Sequence, residues 1–434
     1  MRKTFVLLEL LNHMVLVAQE AKARGHVVVA LNRDPLRRTG PFAVPDGLVD
    51  ELVPVTSWSD REEVAGLLKD VHERYDVVGT YAAFEATLPH EAALRTLAGL
   101  PNNGEANTRA VLDKAGVRDR LRGAGLSGLP SATLGEALAW QEWPDWGTAV
   151  VKPANGTGSS LCYRVSSLEA LHRVAAEARA GAVVNPLMRD YILDHGEFVV
   201  EQEAAGELLS VESLVDRGRV HVLGLTGRYV LASDPVVEMG LQFPYHHPRA
   251  AEAAEKARAI HEALGIVHGP TQIEFMVPDT GPIELIDFNV RSAGTASVVS
   301  FGEAFGTRHE VVLCDIACGL DPDLSFLDRP TRHAVEMLLL PPHGTTHMVP
   351  VGFPAGTLCR RLSKPLGEPL SGRADQLDAV AMFVVSAETA SQVHAAALEA
   401  RRATLFDGVP LGDDPHNVLQ YSAHLAQDLT GGAV

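Results

Sequence analysis

The stretch Thr271–Gly294, TQIEFMVPDTGPIELIDFNVRSAG, gathers the side chains best suited to chemistry. Side chains alternate faces along a strand. Gln272, Glu274 and Met276 therefore share one face of a first strand, and Leu285, Asp287, Asn289 and Arg291 one face of a second. Pro278–Pro282 reads as a turn, so the strands pair as a hairpin centred near Thr280–Gly281. That register sets Glu274 opposite Asp287 and Gln272 opposite Asn289, with opposed Cβ atoms about 4.5–5.5 Å apart. Two facing carboxylates repel, so a positive charge belongs between them. The all-oxygen set of Glu274, Asp287 and Asn289 suits Mg²⁺, which completes its shell with waters and phosphate oxygens. Arg291 on the same face can meet an anion as charge develops. The competing reading is a half-exposed sheet face neutralised by Arg291, because a one-residue slip would part the acids.

A second candidate is AVVKPANGTGSSLCYRV. Strand Thr148–Lys152 delivers Lys152 to the mouth of a loop holding Gly156, Gly158, Ser159 and Ser160. Successive backbone N–H groups there form an anion nest, and the hydroxyls add donors. It is not a Walker loop, because the lysine precedes the glycines and a strand follows them. Standing alone, such a loop is as well explained by a hairpin turn.

The elements that must position these residues fall into three blocks. Residues 1 to about 100 alternate strand and helix: Thr4–Leu8, Met14–Arg24, Val27–Leu31, Glu62–Tyr75, Val77–Thr80 and His90–Leu97. This predicts a parallel, Rossmann-like α/β domain over 1–104. Its first strand-to-helix turn, LLELLNHM, has no glycine and so lacks the dinucleotide fingerprint. A helix over Glu105–Arg122 opens a block of mixed strands and helices, read as α+β over 105–328, with a small lid sub-domain about 127–203. A C-terminal domain over 329–434 carries an amphipathic helix at Ala387–Leu405.

Composition narrows the function. Lys and Arg number 37 against 55 Asp and Glu, a formal net charge of −18, which excludes a general basic surface for nucleic acid. Four cysteines are too few for a disulfide framework in 434 residues, and Cys314 and Cys318 read as helix-face packing. Glu9, Asn12 and His13 interrupt the N-terminal apolar run, so it is not read as a signal peptide; no apolar stretch is long enough for a membrane span. The expectation is a cytoplasmic protein.

In order along the chain, these residues resemble the ATP-grasp superfamily of carboxylate–amine ligases. GLPNNGEANTRAVLDKAGVRDRLRGAGL resembles the family's entry helix and VVKPANGTGSS its phosphate loop; the resemblance implies that Lys114 and Lys152 hold nucleotide phosphates. VVEQEAAGELLSVESL resembles the hinge, where Glu201, Gln202 and Ala204 would meet adenine. The ribose-binding Glu of the family is Leu208 here, and its neighbour Glu207 would point to the other face of a regular strand. IEFMV and IDFNVR resemble the metal strands, with Asp287 in place of the usual Glu, and make Arg291 the catalytic arginine. EALGIVHGPTQIEF, YVLASDPVVEMGLQFP and TYAAFEATLP look most like bacterial L-amino-acid ligases. That likeness would put Glu85, Glu238 and His268 around the substrates, although each also has a plain structural explanation. It implies an ATP-dependent ligase joining a small-molecule carboxylate, an amino acid for choice, to an amine through an acyl phosphate, with ATP and one or two Mg²⁺ (Mn²⁺ as a substitute). Neither nucleic acid nor a membrane is expected as a partner; a homodimer is compatible. The alternatives are a biotin-carboxylase-like enzyme and a non-catalytic nucleotide-binding protein.

Overall fold

The computed structural model describes residues 2–427 except 34, 37–39, 41, 157, 159–160, 185–197, 295, 328–329, 371 and 373–375. The apolar runs Lys3–Leu8 and Val27–Asn32 are buried almost throughout, as suits strands covered on both faces. They lie in a four-stranded parallel sheet of order Glu51–Pro54, Val27–Asn32, Lys3–Leu8, Asp76–Ala82. The strand Glu51–Pro54 was not expected; at four residues, ending in proline at the sheet edge, it has too little pattern to read. Helix Arg61–Arg74 starts where Asp60 accepts a hydrogen bond from the Glu63 N–H.

The expected single helix over 105–122 is two, Glu105–Leu112 and Lys114–Gly123. Asp113 breaks it: its backbone turns extended (φ −90°, ψ 107°), and its carboxylate caps the second helix at the Ala115 N–H. Lys114 thereby becomes a first-turn residue rather than a mid-helix one.

A small antiparallel sheet follows, ordered Ser131–Thr133, Phe198–Gln202, Ala149–Pro153, Tyr163–Val165. The glycine loop joins the last two strands. The largest sheet has nine strands: Glu284–Asn289, Gly269–Val277, Glu207–Asp216, Arg219–Leu231, Glu238–Phe243, His333–Leu339, Ala381–Ala387 and Leu358–Leu362 in sequence across it, with Leu419–Tyr421 also on Arg219–Leu231. Strands from the last third of the chain thus continue the sheet that carries the acidic hairpin. Helices Ser297–Phe305 and Ala390–Ala403 pack on it. Mixed parallel and antiparallel sheets agree with the α/β plus α+β reading. Among the described residues no helix is long and apolar enough to cross a membrane.

Candidate active site

The hairpin has the expected register, Gln272 opposite Asn289 and Glu274 opposite Asp287. Just beyond, a bulge shifts the pairing so that Phe275 faces Leu285 and Met276 faces Glu284. The shift adds a residue, Ile286, and the alternation breaks there. Ile286 and Asp287 both line the cleft, whereas Leu285, expected on the cleft face, turns into the core.

A cavity of about 1250 Å³ lies between the small sheet, the large sheet and the N-terminal block. Lys114, Lys152, Glu274, Asp287, Asn289 and Arg291 all line it. Burial, aided by Glu238 and Asp287, pushes the Glu274 carboxyl up to about 8. The Lys114 ammonium lies 3.0 Å from Asp287 Oδ1 and donates to the Gly156 carbonyl at 3.2 Å. Lys152 is buried; its ammonium is 2.8 Å from Glu201 and donates to the Ile286 carbonyl at 2.7 Å. Arg118 grips the same Glu201 at 2.8 Å and donates to Ser127 and the Leu285 carbonyl. Burial opposes charge on Glu201, yet Lys152 and Arg118 hold it down to about 2. The Glu201 carboxylate is therefore committed to two cations rather than turned to a base, leaving its backbone, with Gln202 and Ala204, at the cavity wall.

Gly206 closes the hinge with φ +124°; a Cβ there would come within 2.3 Å of the Val277 carbonyl carbon, so only glycine fits. Against the expectation that Glu207 would point to the other face, it borders the cavity together with Leu208, and its carboxylate accepts from Tyr245, from Ser422 at 2.7 Å and from His424 at 3.2 Å. His247 stands nearby, and Glu207, His247 and His424 could be mistaken for a metal set. However, His247 Nδ1 accepts the Arg249 N–H at 3.1 Å, which leaves the hydrogen on Nε2 facing Glu207. The cluster is a carboxylate already supplied with donors.

Arg291 is ion-paired to Glu85, which is buried in the turn Glu85–Thr87 of the N-terminal block. Its Nη1 also donates to the Ser292 carbonyl at 3.0 Å. Burial disfavours the charge, but Glu85 keeps the guanidinium firmly protonated. Glu238 lines the cavity and is held by Arg228 at 2.6 Å. Arg228 is itself locked by Thr226 at 2.5 Å and Ser210 at 2.7 Å. Sequence reading missed Arg228 together with its strand; the alternation of Thr226 and Arg228 was the signal available. Glu336, Arg361 and Lys364 reach the same cavity from the last third of the chain.

His268 corrects an expectation. It lies outside this cavity, in a pocket of about 50 Å³ with Glu91 and Arg95. Asn103 grips its backbone N–H and carbonyl at 2.9 and 2.8 Å and turns the ring toward helix Leu88–Leu97. Burial pushes that imidazole down to about 3, so it is neutral. Gly156 and Gly158 border the cavity; Ser159 and Ser160 lie outside the described residues.

Two lysines at a glycine loop thus face an acidic hairpin across one cavity. Residues 147–299 match the model of the ATP-grasp domain, and the chain has the ATP-grasp fold. No curated protein matches it significantly. Among solved structures it is similar to L-amino acid ligase from Bacillus licheniformis (19% identity, 92% of this chain and 97% of that one, TM-score 0.73). It is also similar to phosphoribosylglycinamide synthetase from Anaerococcus prevotii (15%, 93% and 99%, TM-score 0.68). A third is the biotin carboxylase domain of 2-oxoglutarate carboxylase from Hydrogenobacter thermophilus (15%, 94% and 92%, TM-score 0.68).

The donor chemistry of the hairpin fits a hard divalent cation. Glu274 and Asp287 supply carboxylate oxygens, Asn289 an amide oxygen, and the raised Glu274 marks negative charge in need of a partner.

Proposed function

We propose that the protein is an ATP-dependent carboxylate–amine ligase. The observation that carries the reading is the convergence of Lys114, Lys152, Glu274, Asp287, Asn289 and Arg291 on one cavity. Lys114 and Lys152 bind the phosphates, with the N–H groups of the glycine loop. Gln202 and Ala204 offer backbone groups to the base. Glu274, Asp287 and Asn289 would hold Mg²⁺, which would supply charge neutralisation on the transferring phosphoryl group. The substrate carboxylate attacks the γ-phosphorus and ADP leaves, giving an acyl phosphate. An amine nitrogen then attacks the acyl carbon, Arg291 stabilises the oxyanion, and the C–O bond breaks to release phosphate. Glu85 holds Arg291 in place, and Glu238, fixed by Arg228, presents a carboxylate to a cationic substrate group. Amino acids fit such paired charges. The glycine loop excludes water from the reactive intermediate.

The test is phosphate release from ATP and Mg²⁺ against paired amino acids and amines, with product masses. An amide product coupled to phosphate release supports the proposal. Release that depends on bicarbonate and yields no amide would instead mark carboxyphosphate chemistry. No release across the panel, with ATP still bound, would mark a non-catalytic nucleotide-binding protein.

A further inference from the structure

The two acids of the hairpin are unequal. The Glu274 carboxyl takes no hydrogen bond among the described residues, whereas Asp287 Oδ1 is engaged by the Lys114 ammonium at 3.0 Å and by the Phe288 N–H at 2.9 Å. The same ammonium donates to the Gly156 carbonyl, so it bridges the phosphate loop to the hairpin. Both side chains are little exposed, 15% for Lys114 and 20% for Asp287. The lysine backbone cannot drift, because its N–H donates to the Ala154 carbonyl at 2.9 Å and Asp113 caps the turn it begins. Only its four-carbon arm is free to swing. Lys152 is not an alternative partner for Asp287, since Glu201 and the Ile286 carbonyl already hold its ammonium.

We propose that Lys114 stands in for the divalent cation in the ligand-free protein, and that nucleotide phosphate must draw it off Asp287 before a metal ion can bind there. This rests on the reading of the cavity as an ATP site. An ammonium and a metal ion cannot share one carboxylate oxygen without strong like-charge repulsion in a partly dehydrated cleft. A phosphate resolves the conflict by offering the ammonium another anion. Nucleotide and metal then bind cooperatively, and by linkage each raises the affinity of the other.

The probe is Mn²⁺ titrated into nucleotide-free protein, followed by the electron paramagnetic resonance signal of the free ion. Wild type and Lys114→Arg should bind weakly. Lys114→Met should bind about tenfold or more tightly, the gain expected when a like charge next to the site is removed. Adding Asp287→Asn to Lys114→Met should cancel the gain. Lys114→Gln serves as a second neutral variant should the methionine variant not fold by circular dichroism. Neutral variants that bind Mn²⁺ no better than wild type, or an arginine variant that gains as much as they do, overturn the proposal. Calorimetry of ATP binding to wild type in excess Mg²⁺ tests the underlying reading separately. No binding there overturns the ATP site, while the Mn²⁺ series still decides whether Lys114 blocks the cation.

Discussion

Arg291 and Glu274 carry the sharpest expectations at the scale of single residues. Lysine at 291 would keep a charge for Glu85 but lose the planar fork that donates two parallel hydrogen bonds to an oxyanion. Arg291→Lys should therefore lower the catalytic rate by about 10²–10³ with little change in ATP affinity, measured by steady-state kinetics beside calorimetry. Retention of more than about a third of the rate would leave Arg291 only a counter-charge for the acids, since a tenfold loss corresponds to ~1.4 kcal/mol. For Glu274 the sign follows from linkage. Its folded carboxyl keeps a proton up to about pH 8, against 4.5 for the ordinary group. Its contribution to stability is fully present below about pH 4.5 and is lost as pH rises through about 8. Glu274→Gln should therefore raise the ligand-free Tm over wild type by a few degrees at pH 9, with the margin shrinking toward pH 5, while abolishing turnover. Equal melting curves at pH 9 would mean that Glu274 is not strained by burial and by its acidic neighbours.

At the scale of elements, the break at Asp113 and the bulge at Ile286 aim the site. The capped turn sets Lys114 toward Asp287, and the bulge brings Asp287 to the cleft while Leu285 joins the core. Removal of the cap by Asp113→Ala should cost about 0.5–2 kcal/mol in denaturant unfolding. It should also weaken ATP binding, because the lysine would lose its fixed starting point. Unchanged ATP affinity with lowered stability would show that the turn supports the fold without placing the ammonium.

At the scale of the molecule, the large sheet joins segments far apart in sequence. Strand Glu238–Phe243 pairs with His333–Leu339, and Ala381–Ala387 pairs beyond it. A chain ending at residue 328 would leave Glu238–Phe243 as an open edge bearing Met239, Leu241 and Phe243, all buried in the intact protein. Such an edge invites pairing between copies. The truncated chain should be recovered as aggregate, whereas a soluble monomer by size exclusion with intact ATP binding would show that the last third is dispensable to the fold.

Much of the lining of the candidate cavity was legible in the residues themselves. Alternation along two short strands and a proline-bounded turn were enough to pair Glu274 with Asp287, because register is a local consequence of period and turn. The lysine before the glycine loop was readable for the same reason, as strand and loop adjoin in sequence. Tertiary structure alone decided which partner each charged group took. Glu201 is spent on Arg118 and Lys152, Glu85 reaches Arg291 from another block, and His268 faces a separate pocket beside Arg95. These pairings span from about 50 to more than 200 residues of chain. No local period encodes them, because they depend on how whole sheets and helices pack and on where burial makes an unpaired charge too costly to leave.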